Sequence, residues 1–151
     1  ERYSQVKQRI NPKWQQIWNT SNKGINLFQL KNEIPRKSNA LKDMEVIDVR
    51  TFNRLMTGKT LLKDSFGKYL KDQRNHNNNC PYCPVPETLD HIFNTCPRYQ
   101  TQHSNLREYL KRIGSPTTYP ELLDRKLNVN LEATYKSIIS YLKQINKYGK
   151  I

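Results

Sequence analysis

Apolar residues recur along this chain at intervals of three and four, the period of helices that bury one face. Asn11-Pro12 reads as a helix start, with Asn as N-cap and Pro at the first helical position. Trp14, Ile17 and Trp18 then share a face, read as core, with Trp14 and Trp18 as a stacking platform the alternative, and Gly24 offers a stop. Ile25, Leu27, Phe28 and Leu30 make a short extended piece, and "NEIPRKSN" is loop. A second helix is predicted over about 41–56, its apolar side built from Leu41, Met44, Ile47, Phe52, Leu55 and Met56, widened by Val46 and Val49. Gly58 closes it. Thr60 can cap a further helix carrying Leu61, Leu62, Phe66 and Leu70.

The run "KDQRNHNNN" is polar and aperiodic, hence loop. Tyr99, Leu106, Leu110 and Ile113 then predict a helix closed by Gly114. "SPTTYPELL" gives a short helix, and Leu131, Tyr135, Ile138, Leu142 and Ile145 a final one. The expected fold is mostly α, with at most a short β element near residues 25–30. The chain divides into an N-terminal basic helical part (1–75), a cysteine-bearing knuckle (76–100) and C-terminal helices (101–151), packing as one domain.

Composition changes this picture in one respect. The 151 residues carry a net charge of +13 and only 35% hydrophobic side chains. So large an excess of one sign points to a polyanionic partner, although a solvated Lys-rich surface would read the same way. Residues 1–79 hold sixteen Lys and Arg against seven Asp and Glu, and residues 80–151 ten against six, so the excess leans to the N-terminal side. No apolar run approaches a membrane span and no signal peptide opens the chain. Glu1-Arg2-Tyr3 is not a natural start, so a fragment of a longer protein is expected.

Candidate chemistry is concentrated in "CPYCPVPETLDHIFNTCP", residues 80–97, which holds all three cysteines. C-P-Y-C matches a thiol–disulfide motif, but that chemistry needs a strand before it and a helix after it. The asparagines before Cys80 make a poor strand, and Pro84 and Pro86 disrupt the helix. Cys80, Cys83, His91 and Cys96, spaced C-x2-C-x7-H-x4-C, instead suit one structural Zn2+ with four protein ligands and no open position. Thr88 is the expected N-cap of the segment bearing His91 and Cys96. Such a site implies a reducing compartment. His76 and His103 read as surface residues.

Several patterns in register give the chain a resemblance. "KWQQIWNTSNKG" (13–24), "FNRLMTGKTLLKDSFGKYL" (52–70), the set Cys80, Cys83, Glu87, Thr88, His91, Cys96 and Pro97, and then Arg107 and Leu110 follow one another as in a known family. The chain resembles the C-terminal segment of reverse transcriptases from non-LTR (LINE-type) retrotransposons, especially the jockey-like and I-like groups. One departure is Lys59, where that family often has His. The resemblance covers about residues 10–147. It implies a non-catalytic part of an RNA-directed DNA polymerase that helps hold template RNA or target DNA during target-primed reverse transcription, in a nuclear or cytoplasmic ribonucleoprotein. Its implied partners are RNA, DNA and the rest of that polypeptide, with no membrane.

Within that frame, the residues expected to contact phosphate are Arg50, Arg54, Lys59, Lys63, Lys68, Lys71, Arg74 and Arg98. Tyr82 is the stacking candidate, its alternative role being to pack over the metal turn. Phe52, Phe66 and Phe93 are expected in the core. The competing function is a zinc-stapled protein-docking scaffold. The remote one is an oxidoreductase acting through Cys80-Pro81-Tyr82-Cys83. The helices either side of the knuckle are expected to survive loss of metal, each having its own apolar face.

Overall fold

The computed structural model describes residues 2–21, 44–67 and 77–151. Every element there is helical, apart from one isolated antiparallel bridge between Asn79 and Pro86. The extended piece expected at 25–30 lies outside the described residues.

Helix α1 spans Arg2–Thr20 and runs through Pro12. The expected start at Asn11 is therefore wrong. Proline's fixed φ is itself helical, so a helix arriving from the N-terminal side continues past it with the loss of one hydrogen bond. The apolar face expected in the core is not buried there: Trp14 and Ile17 are each 58% exposed, and neither joins the buried cluster.

Helix α2 spans Val46–Thr57 and ends as expected at Gly58, whose φ of 68° is the left-handed conformation that favours glycine. Phe52, Leu55 and Met56 are buried, whereas Val46 and Ile47 face solvent. Helix α3 is described over Lys63–Gly67. The Thr60 hydroxyl accepts from the Leu62 N–H at 3.4 Å just before it. Phe66 is exposed, against expectation.

Helix α4 (Gln100–Arg112) packs on helix α5 (Leu131–Gln144). Gly114, at φ 68°, ends α4: its N–H donates to the Lys111 carbonyl at 3.1 Å and that of Ser115 to the Leu110 carbonyl at 2.9 Å. These paired bonds satisfy the last carbonyls of the helix. Asn130 caps α5, accepting from the Ala133 N–H at 3.1 Å. The intervening loop is pinned by a buried polar chain. Ser115 and Thr134 hydroxyls lie 2.8 Å apart, Thr134 donates to Asn128 Oδ1 at 3.0 Å, and Asn128 donates to the Leu122 carbonyl at 3.1 Å.

One core joins these pieces. Phe52 of α2 meets Tyr135 of α5 with ring centroids 4.0 Å apart. Buried Ile151 extends the same core, while the Lys150 carbonyl accepts from Leu61 N–H at 2.7 Å. Leu89, Ile92, Phe93 and Cys96 belong to it too. Burying Leu89, Ile92 and Phe93 is worth roughly 5–9 kcal/mol on an area basis, comparable with the net stability of a whole domain. The knuckle is thus built into the core rather than appended to it.

Candidate metal centre

The first two ligands sit on a tight turn. The Cys80 N–H donates to the Val85 carbonyl at 2.8 Å, and the Glu87 N–H to the Asn78 carbonyl at 2.9 Å. Pro81, Pro84 and Pro86 restrict the turn's φ angles, which lowers the entropy lost on forming it. The segment after Cys83 pairs back on Asn79 instead of forming a helix. The helix N-terminus that activates a thioredoxin-type thiol is not built here.

The other two ligands come from a helical segment that Thr88 caps as expected, its hydroxyl accepting from the His91 N–H at 3.0 Å. In an α-helix, residues five apart point about 140° away from each other. Here His91–Thr95 widens into a π-helical turn, and the Cys96 N–H bonds to the His91 carbonyl at 2.8 Å. The widening brings His91 and Cys96 to the same side. Such π turns are frequent at functional sites.

The ligand atoms of Cys80, Cys83, His91 and Cys96 lie within 4.8 Å of one another and could hold one metal ion. Cys83 Sγ is 3.1 Å from His91 Nε2, and Cys80 Sγ is 4.0 Å from Cys96 Sγ. All three cysteines are free thiols. The Nδ1 side of His91 faces the Thr95 hydroxyl at 3.1 Å, which orients the ring and leaves Nε2 for the centre.

Desolvation, then the neighbouring thiols of Cys80 and Cys96, push Cys83 up to about 12. Burial likewise raises Cys96, opposed by the nearby Arg98 backbone N–H. Burial lowers His91, opposed by Glu87 and Asp90, so the imidazole is held in its neutral, ligating form. Crowded sulfurs resist deprotonation by one another, and a dication among them removes that resistance.

The surrounding shell was less legible. Pro97 has no N–H to offer the Ile92 carbonyl, five residues behind it in the π turn. Two buried side chains fill that role: His103 Nε2 at 2.8 Å, and the Tyr141 hydroxyl. His103 is thus a core residue, 5% exposed, and not the surface histidine expected. Arg107 donates to the Asn94 carbonyl at 2.9 Å, and Asn94 in turn exchanges hydrogen bonds with the Tyr119 backbone. Glu87, 3% exposed, is the least expected member of this shell. Its one sequence signal is being the only acid between Asp72 and Asp90.

The expected nucleic-acid residues fall into separate groups. Arg50, Arg54 and Lys59 line one groove on α2 with Val46, Val49, Asn53 and Thr57. Arg54 also donates to the Ile151 carbonyl at 3.1 Å. Lys63 is half-buried beside Glu87. Tyr82 and Arg98 meet at the metal turn. Lys68, Lys71 and Arg74, with His76, lie outside the described residues. No described helix is long and apolar enough to cross a membrane. No protein-family model, curated protein or solved structure matches the chain.

Proposed function

We propose that the centre holds one structural Zn2+ and that the chain is a nucleic-acid-binding domain of the kind its sequence resemblance implies. That is the C-terminal part of a non-LTR retrotransposon reverse transcriptase, gripping template RNA or target DNA during target-primed reverse transcription. Tetrahedral zinc with sulfur ligands at 2.3 Å sets ligand–ligand distances of roughly 3.8 Å. The Cys80 and Cys96 sulfurs, 4.0 Å apart, fit that spacing, and the 3.1 Å between Cys83 Sγ and His91 Nε2 compares with roughly 3.5 Å for a sulfur–nitrogen pair. Four protein ligands leave no open coordination position, so the ion's role is to hold the fold and the chain is not itself catalytic.

The groove on α2 carries the nucleic-acid part of this reading. Arg50, Arg54 and Lys59 converge there with no acid among the lining residues, in a chain of net charge +13. Such a track neutralises phosphates and releases counterions. The test is anisotropy of the zinc-loaded protein with labelled single strands and duplex across a salt series. Binding should weaken linearly in log salt, and Arg50→Ala should reduce the slope by about one. No binding at low salt from a folded, metal-loaded sample would overturn the proposal.

A second reading, a protein-docking scaffold, draws support from the exposed Ile10, Trp14 and Ile17 of α1. It predicts no nucleic-acid affinity beyond what net charge provides.

A further inference from the structure

The metal turn presents a side chain that neither the centre nor the core uses up. Tyr82 stands between Cys80 and Cys83, yet the residue is 55% exposed. It meets buried Tyr99 in a T-shaped contact, with ring centroids 6.0 Å apart and an 80° interplanar angle. The Arg98 guanidinium lies over the same ring, with Cζ 5.3 Å from the centroid. Arg98 is also next to the centre, two residues after Cys96. Tyr82 and Arg98 therefore reach one spot from two different ligand segments.

A solitary exposed tyrosine is ordinary. This one is held by the Tyr99 ring and lies beside a guanidinium that has no carboxylate partner among the described residues. The result is an exposed aromatic ring with a cation beside it. A ligand that matches both properties has a π-face and a negative charge, as an unpaired base with its phosphate does. Bases inside a duplex are stacked on each other and offer only their edges. An acidic peptide would satisfy Arg98 and leave the ring unmatched.

We infer that Tyr82 and Arg98 form a stacking platform for one unpaired base, so that the domain prefers single-stranded nucleic acid to duplex. This rests on the nucleic-acid reading above and adds to it the strand state and the residues that read it. The platform forms only with the metal turn closed, so single-strand preference is also metal-dependent.

The test uses the full 151-residue chain, zinc-loaded, with RNA and DNA single strands each bearing one 2-aminopurine, and matched duplexes at the same salt. Wild type should bind the single strands more tightly and quench the 2-aminopurine. Tyr82→Ala should weaken single-strand binding about 5- to 150-fold, abolish the quenching, and leave duplex affinity and metal content unchanged. Tyr82→Trp should retain both. Should Tyr82→Ala lose metal, Arg98→Lys carries the test: it keeps the charge but not the planar face, and should lower single-strand affinity at an unchanged salt slope.

Single-strand affinity and quenching that survive in both variants would overturn the platform while leaving the nucleic-acid reading intact. Wild type that binds neither form would overturn both. Capture of polyglutamate with higher affinity than any oligonucleotide, lost in Arg98→Ala, would also overturn it, in favour of a protein partner.

Discussion

The carboxylate of Glu87, buried in the metal loop, accepts a hydrogen bond at 3.0 Å from the backbone N–H of Lys63, at the start of α3. Its other oxygen pairs with Lys147, just beyond α5. One side chain between Cys83 and His91 thus ties the knuckle to segments 24 residues before it and 60 residues after it. Both members of the ion pair are largely shielded from water, so removing one leaves an uncompensated charge. Glu87→Ala should cost about 3–5 kcal/mol in urea unfolding. Replacing Lys147 by Met in the same chain should recover part of that loss. Additive losses in the double mutant would show that the two side chains do not act as a pair.

Metal removal should be felt well beyond the knuckle. Leu89, Ile92, Phe93 and Cys96 share the core of α2, α4 and α5. Helix survival after metal loss, expected from the separate apolar faces, does not follow from this packing. Chelation, or Cys83→Ser, should therefore reduce far-UV helical signal and thermal stability of the whole domain. A chelated sample that keeps its cooperative unfolding transition would contradict this.

Thr95 should tune the centre without ligating it. Its hydroxyl faces His91 Nδ1 at 3.1 Å. Thr95→Val keeps the shape and removes the hydrogen bond. Metal affinity, read by competition with a chromophoric chelator, should fall about 10- to 100-fold while the unliganded fold is unchanged.

His103 predicts an acid-side loss of stability. Burial lowers its pKa from the ordinary 6.5, the bond to the Ile92 carbonyl opposes that shift, and Arg107 adds to it. The unfolded chain therefore takes up the proton first. The contribution is complete above pH 6.5 and is lost as pH falls from there towards the folded value. His103→Gln retains a donor for Ile92 and cannot charge. Urea midpoints from pH 7.5 to 5 should fall less steeply for His103→Gln than for wild type, the shared remainder reporting the metal ligands.

The parts of this protein that its sequence determined are the local ones. Ligand spacing placed Cys80, Cys83, His91 and Cys96 within reach of one ion, because a short turn and a capped helical segment leave few ways to arrange seventeen residues. Gly58 and Gly114 as helix ends, Thr88 as a cap, and the 3–4 periodicity of α4 and α5 followed from backbone and pattern rules that need only neighbours in the chain. The tertiary structure decided whatever depends on partners distant in sequence. His103 is buried because Pro97 leaves a carbonyl without a donor, and Glu87 because Lys63 and Lys147 meet it from far along the chain. Trp14 and Ile17 have the period of a core face and are exposed, since amphipathicity marks a face able to be buried but not what covers it. Tyr82 and Arg98, sixteen residues apart, meet because the segments bearing Cys80, Cys83 and Cys96 converge on one spot.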